Sequence, residues 1–329
     1  MRMLLTFLFG SVFLIGQDSG GAYQIMPVFK EQAVQWPSSI VRSSSGDLFV
    51  LDNNNHRILV FRSGQFLRQI GQIGQGEADL HQPSAMGIDK QDRLYVVDQE
   101  NGRVQIFQAD GSPYGRFRAD TRSNTIAVNS KREILINNPN KGGLMTVYSP
   151  RGREVRTFGQ LVPASRGYPG RQDSDDLLVP LGRAYLLAED GGIYVAFQFM
   201  PLVQKYSAAG ELVWETRLKG SQVDELVRTF WREPDAKRPK SVRSLDGLQL
   251  PDVVTAATVT EAGHLLVVLA DRTICVLSPD GRQIRLLRLD PPRSGPVYGI
   301  CSDEGSLYFS TVSRLYRSKE PLDFLKPQP

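Results

Sequence analysis

Residues 46–61 read Gly46-Asp47-Leu48-Phe49-Val50-Leu51-Asp52-Asn53-Asn54-Asn55-His56-Arg57-Ile58-Leu59-Val60-Phe61, and this stretch decides the fold because residues 92–107 repeat it in phase. The second copy runs Asp92-Arg93-Leu94-Tyr95-Val96-Val97-Asp98, then Asn101-Gly102-Arg103-Val104-Gln105-Ile106-Phe107. Pro37 answers Pro83, Asp52 answers Asp98, Arg57 answers Arg103 and Phe61 answers Phe107, each 46 residues on. A period of this length, made of short apolar runs and polar turns, marks a solenoid or a propeller.

Outward from that pair, the same unit can be traced along the chain. A first strand ends in a turn with Gly or Asp, and an apolar second strand ends in a polar loop. A third strand ends in an aromatic or Leu, a turn with Gly follows, and a fourth strand closes the unit. This is the four-stranded meander of a propeller blade. The step from Phe107 to Gly111 recurs as Tyr148 to Gly152, Tyr206 to Gly210 and Leu277 to Gly281. A step of four held this often predicts one hairpin geometry, with Gly at a left-handed position. Six units are visible, and the sixth runs out near Tyr316.

The expected fold is therefore all-β, a six-bladed β-propeller of four-stranded antiparallel blades. The segment Tyr23 to Phe29 is predicted to close the last blade as its outer strand, which leaves no dangling edge there. The C-terminal tail is a poor rival because Pro321 and Pro327 interrupt it. Residues 219–250, between blades 4 and 5, break the rhythm. Val223, Leu226, Val227, Phe230 and Trp231 follow helical spacing, which predicts one short helix over about 221–233. It reads as a helix packed on the ring, with a lid or docking element as the alternative, and Arg232 to Arg243 reads as a solvated loop.

The remainder of the chain constrains compartment and class. Arg2, the apolar run Leu4 to Ile15 and the small residues Gly20-Gly21-Ala22 form the pattern of a secretory signal over 1–22, leaving 23–329 as a single propeller. The apolar run is about a dozen residues, short for a span, so a cleaved signal is expected and a retained anchor is the alternative. No later stretch reads as a membrane span. Secreted or periplasmic placement follows. The net charge of +4 is modest for 329 residues and reads as spare surface Lys and Arg, so no nucleic acid is expected. Cys275 and Cys301 lie in apolar runs and read as buried thiols in preference to a disulfide.

The two quoted stretches resemble the NHL repeat closely. Between them, Gly71-Gln72-Ile73-Gly74-Gln75-Gly76 and Leu80-His81-Gln82-Pro83 are similar to that family's inter-blade linker. The resemblance is specific over about residues 37–120 and traceable to about 317. It implies a six-bladed propeller; family members mostly bind proteins or RNA, and a minority are enzymes. One such enzyme class, the peptide-amidating lyases, holds zinc with three His. His81 matches such a place, Trp36 and the surroundings of Pro180 and Pro251 do not, and only His56 and His264 remain.

No catalytic motif stands out: there is no His-Glu-x-x-His, Gly-x-Ser-x-Gly or Cys-x-x-Cys. Asp173, Asp175 and Asp176 read as a solvated loop in preference to a calcium site. No catalytic residue, metal or cofactor is therefore assigned. The expected function is an exported non-catalytic scaffold, a monomer that holds a protein or small ligand with the loops after the second strands. The alternative is an extracytoplasmic propeller enzyme, a lyase or hydrolase, with a site in the channel. The binding candidates are Asn54, Arg57, Asn101, Arg103, Phe199, Met200, Arg272 and Arg314. For the Asp52–Arg57 and Asp98–Arg103 pairs, a charge-assisted clamp that holds the loop shut is the competing structural reading.

Overall fold

The structure is a computed structural model. It describes residues 34–168, 173, 175–230, 242–245, 248–289, 295–303 and 305–318, together with the backbone of 23–25. The expected signal segment and Trp231 lie outside the described residues.

Six four-stranded antiparallel sheets form the ring. Blade 1 runs Pro37–Arg42, Leu48–Asp52, Arg57–Arg62 and Gln65–Ile70, and blade 2 runs Pro83–Ile88, Leu94–Asp98, Arg103–Phe107 and Pro113–Arg118. Blade 3 is Ile126–Val128, Ile134–Asn137, Met145–Tyr148 and Glu154–Phe158; blade 4 is Ala184–Glu189, Gly192–Phe197, Leu202–Tyr206 and Leu212–Arg217. Blade 5 is Val254–Val259, Leu265–Leu269, Thr273–Leu277 and Gln283–Arg288. Blade 6 takes Gly299–Asp303, Ser306–Thr311 and Arg314–Ser318 from the C-terminal part of the chain and Tyr23–Ile25 from the N-terminal part. Tyr23 pairs with Ser318 and Ile25 with Tyr316, so the first strand closes the last blade.

The first strands of neighbouring blades touch in a closed circuit and wall the central channel. The second and third strands of blade 2 are buried at every position, because each sheet is covered by a blade on both faces. That is why Leu94-Tyr95-Val96-Val97 reads as a continuous apolar run. The outer strand faces solvent on one side, and Gln65–Ile70 alternates accordingly. Phe49, Phe61, Phe107 and Phe309 are fully buried between blades, each worth about 1.5–3 kcal/mol relative to exposure.

The repeated four-residue step has two physical causes. Gly111, Gly152, Gly210 and Gly281 have φ of 94, 77, 95 and 86°. The ladder also shifts register by a bulge at the preceding anchor in blades 1 to 5, as at Val147/Tyr148 and Lys205/Tyr206. In addition, each of these glycines receives a side chain from the outer strand of the blade before it. A Cβ on Gly152 would lie 2.2 Å from Phe117, and one on Gly281 would lie 2.6 Å from Trp214. Next to these contacts, Arg156 donates to the Ala208 carbonyl at 3.3 Å and Trp214 Nε1 to the Pro279 carbonyl at 3.2 Å.

Two inter-blade links carry further structure. Between blades 4 and 5 lie the predicted helix, here Ser221–Phe230, and a hairpin of Val242–Leu245 with Leu248–Pro251. Val223 of this helix is fully buried, and Leu226 and Val227 pack on the core, so the helix lies on the ring. The hairpin occupies part of what reads in sequence as a loop. Between blades 3 and 4 the chain adds two helices absent from the sequence expectation, Ala164–Gly167 and Asp175–Leu181. Asp173 accepts from the Ser165 backbone N–H at 2.8 Å and hydroxyl at 3.0 Å and so ties this insertion together. Cys275 and Cys301 are free, buried thiols. Burial pushes both pKa values up to about 12.

Candidate functional site: the channel mouth

The start of each first strand pairs with the end of the second, as Pro37 does with Asp52 and Pro83 with Asp98. The loops after the second strands therefore share one face with the starts of the channel-lining strands and with the inter-blade linkers. Side chains from five blades converge there.

The loop candidates of blades 1 and 2 prove to be a repeated clamp. One Asp98 oxygen accepts from the His81 backbone N–H at 2.6 Å; the other accepts from Asn101 at 2.8 Å and from Arg103 Nε at 2.7 Å. Asp52 does the same with Gln35 N–H at 2.7 Å, Asn55 at 2.9 Å and Arg57 Nε at 3.0 Å. Both carboxylates are fully buried. Arg103 also donates to the carbonyls of Gln75, Gly76 and Asp79, and Asn101 to that of Gly74, which pins the 71–82 linker. In blade 3, Asn137 takes the Asp place and accepts from the Ala184 backbone N–H at 3.1 Å. Phe197 and Leu269 fill that place in blades 4 and 5 with apolar bulk.

Asn101 and Arg103 thus hold linker carbonyls, with Arg103 7% exposed, while Arg57 donates to the Asp52 carboxylate and the Gln69 side-chain oxygen. The side chain that matches Asn101 in the clamp is Asn55; Asn54 is exposed, and its backbone N–H donates to the Gln35 carbonyl. Phe199 and Met200 are fully buried, so neither presents a side chain to a partner. The 159–183 insertion covers them: Tyr168 donates its hydroxyl to the Phe199 carbonyl, and Gly167 packs against Met200. Arg272 is half-buried at φ 74°, with its N–H on the Leu269 carbonyl and its own carbonyl accepting from Leu289. Arg314 is exposed at the start of its strand. These residues share a face but do not converge.

What does converge is a recess of about 350 Å³ at the mouth of the channel. Trp36, Ser38, Asn53, Ser84 and Gln99 line it from blades 1 and 2, and Arg122 to Asn124, Arg183, Tyr185 and Tyr298 from blades 3, 4 and 6. Trp36 has φ 64°, rare for a bulky residue, and donates its backbone N–H to the Val312 carbonyl at 2.8 Å. Its ring meets that of Tyr298 at 4.9 Å and 34°. Asn124 donates to Gln198 Oε1 at 3.1 Å, and Gln198 donates to Asp252 at 2.6 Å, which satisfies a buried carboxylate just behind the wall. Arg122 pairs with Asp120 at 2.9 Å, and its hydrogen bond holds the Asp120 carboxyl down at about 2. Below the mouth the channel is a cavity of about 300 Å³, with Val41, Ile88, Leu187 and Val259 among its lining residues. Arg42 and Asp303 pair at 2.8 Å near its far end.

Sequence reasoning missed this recess. Trp36 entered it only as the residue before Pro37, and Tyr298, Arg183 and Asn124 carry no local signal.

Two of the three imidazoles meet near the same face. His56 Nδ1 accepts from the Gln82 backbone N–H at 2.9 Å, and the His56 and His81 rings are 5.6 Å apart, edge to face. Burial, then the neighbouring His81, lowers the pKa of His56, against the pull of Asp52 and Asp98. His264 follows the first turn of blade 5, on the opposite face. Among the described residues no group of three or more His, Cys, Asp or Glu is placed to share a metal ion, and no helix is long and apolar enough to cross a membrane.

A family model described as a 6-bladed beta-propeller matches residues 31–141. Peptidyl-glycine alpha-amidating monooxygenase B of Xenopus laevis is 26% identical over 238 residues, covering 67% of this chain and 26% of that protein. Human NHL repeat-containing protein 3 is 28% identical over 78 residues, 22% of each chain. Protein brain tumor of Drosophila melanogaster is 26% identical over 105 residues, 30% of this chain and 10% of that one. The chain thus spans only 10 to 26% of the length of these curated relatives. Among solved structures, virginiamycin B lyase of Staphylococcus aureus with quinupristin aligns at a TM-score of 0.54 and 11% identity, covering 88% of this chain and 81% of the other. A presumptive exported protein of Bacteroides fragilis aligns at 0.58 and 12%, covering 90 and 94%. At these identities the structural likeness concerns the fold alone.

Proposed function

We propose that this chain, a six-bladed propeller with NHL-like repeats, is an exported, monomeric scaffold that holds a protein or small ligand at the channel mouth without chemical turnover. The observation that carries the reading is convergence: aromatic, amide and guanidinium groups from five blades face one recess of about 350 Å³. Concave sites with a few fixed polar groups are where propellers and other closed folds bind ligands. The clamps at Asp52 and Asp98 support the same reading, because they fix the loops that frame the recess. Export rests on the charged start, apolar run and small residues of 1–22.

The test is a comparison of wild type with the triple variant Asn53→Ala, Gln99→Ala, Arg122→Glu. Each is immobilised and exposed to the extracytoplasmic fraction of its own cells. A retained molecule that wild type holds and the variant releases supports the reading. Equal retention by both sinks it. Steady conversion of a bound molecule by purified wild type would replace it with the enzyme alternative, a lyase or hydrolase acting in the channel. Export is checked separately, by fractionation and by sequencing the N-terminus of the mature protein.

A further inference from the structure

We infer that the central channel takes a single unbranched alkyl chain, the tail of an amphiphile whose uncharged, hydroxylated head stays in the mouth recess. This rests on the reading of the recess as the ligand site and extends that site inward.

Continuity supplies the first observation. Ser38, Asn124, Tyr185 and Tyr298 line both the recess of about 350 Å³ and the channel cavity of about 300 Å³, so the two spaces adjoin. A molecule seated at the mouth therefore meets the bore end-on. The first strands of all six blades wall that bore, and its volume stands at the lower edge of the range for ligand sites. Such a space fits one narrow chain better than a ring system.

The second observation is the change of character along this path. Below the polar mouth, Val41, Leu187 and Ala257 line the channel, and Ile88 and Val259 carry the apolar lining on toward its far end. Each packs on a core between blades yet is only half-buried, so the remaining apolar face of each borders the bore. Ser39 and Thr125 also line it, but their oxygens accept from the Met86 and Leu186 backbone N–H groups and tie neighbouring first strands together. The charged lining residues among those described, Arg42 and Glu189, come at the far end, opposite Leu48 and Gly192, and Arg42 pairs with Asp303 at 2.8 Å. Enclosed apolar space holds water poorly and takes apolar guests.

The third observation sets the head. Ser84 gives its hydroxyl proton to the Ser123 carbonyl at 2.7 Å, so its oxygen is left as an acceptor. Asn124 gives an amide hydrogen to Gln198, which leaves its carbonyl oxygen as an acceptor. Asn53 and Gln99 add donors and acceptors from the loops. Acceptors already oriented by the fold suit hydroxyl donors. Arg122 is held by Asp120 at 2.9 Å, and Arg183 likewise has its partner within the protein, so neither calls for an anionic head.

The experiment is calorimetric titration of the full protein with n-hexyl, n-heptyl and n-octyl β-D-glucoside, each below its micelle threshold. Methyl β-D-glucoside is the head without a tail. The expectation is one site per chain whose affinity rises about fourfold with each added methylene, the scale of burying one CH₂, while the methyl glucoside binds far more weakly. Ala257→Leu narrows the bore and should cut that step to less than about twofold. Should Ala257→Leu not fold, Leu187→Asn, which places an amide in the bore, carries the same expectation. The mouth triple variant should weaken all three ligands by a common factor and leave the step unchanged. Affinity indifferent to chain length, a step that survives the channel variants, or binding untouched by the mouth triple variant overturns the inference. If no alkyl glucoside binds while the mouth triple variant still releases a cellular partner, the inference falls and the scaffold reading stands. If the triple variant releases nothing either, both fail.

Discussion

Replacing Gly152 by Ala tests how the blades are locked to one another. Gly152 has φ 77°, and an added Cβ would lie 2.2 Å from the Phe117 side chain of the preceding blade. Gly64 is the matched control: its φ is 78° and nothing lies within 4 Å of where its Cβ would be. Forcing Ala into the left-handed region costs about 1–2 kcal/mol at either site. Overpacking against Phe117 adds about 1–3 kcal/mol at Gly152 only. Gly64→Ala should therefore cost about 1–2 kcal/mol and Gly152→Ala about 2–5 kcal/mol, read from urea unfolding midpoints at unchanged slope. Phe117→Ala in the Gly152→Ala background should cost less than the two single changes summed, because the small side chain relieves the clash. If the two glycine substitutions cost the same within about 0.5 kcal/mol, the inter-blade contact does not hold the ring and the step of four is a matter of turn geometry alone.

Arg103→Ala leaves the buried Asp98 carboxylate without its guanidinium and should cost about 3–5 kcal/mol. The same variant should open the 71–82 linker to limited proteolysis, whereas uncut linker would show that Arg103 does not pin it. His56 titrates below its usual range in the folded protein, so the stability it confers is complete above about pH 6.5 and falls as pH drops through the folded value. Thermal scans between about pH 7.5 and 5 should show this loss, and His56→Gln should flatten it; an unchanged profile would refute the lowering of His56 by burial and His81. Cys275 and Cys301, with pKa values of about 12, should resist iodoacetamide at pH 8 until urea unfolds the chain. Rapid labelling of either thiol in the native protein would contradict the burial.

The ring was legible where one residue type must satisfy a backbone demand that recurs. Gly111, Gly152, Gly210 and Gly281 are spaced by the hairpin they permit, and so blades 2 to 5 could be read from them, with blades 1 and 6 supplied by their strand and turn pattern. The end-to-end closure was legible because Tyr23 to Ile25 had no partner nearby and blade 6 lacked a strand. The two helices before blade 4 were not, since one is a single turn and the other has Pro180 inside it. Phe199 and Met200, named as binding candidates, extend an apolar run past the expected loop because they are buried under Tyr168 and its insertion, some thirty positions upstream. Three consecutive asparagines, Asn53 to Asn55, give no phase of their own, so the sequence does not show which of them, here Asn55, closes onto Asp52. The recess itself is tertiary: Trp36, Asn124, Arg183 and Tyr298 come from different blades, and no spacing announces that they meet.

Closure by Tyr23–Ile25 also imposes an order of assembly. Tyr23–Ile25 can reach its place only after Arg314–Ser318 has emerged, nearly three hundred positions later. During ribosomal synthesis, blades 1 to 5 can form one after another while the circle stays a gapped wheel. Once Arg314–Ser318 has emerged, its edge stays bare until Tyr23–Ile25 pairs with it, and in that interval it could template strands from other chains. Holding Tyr23–Ile25 tethered or chaperoned until blade 6 is made would shorten that exposure.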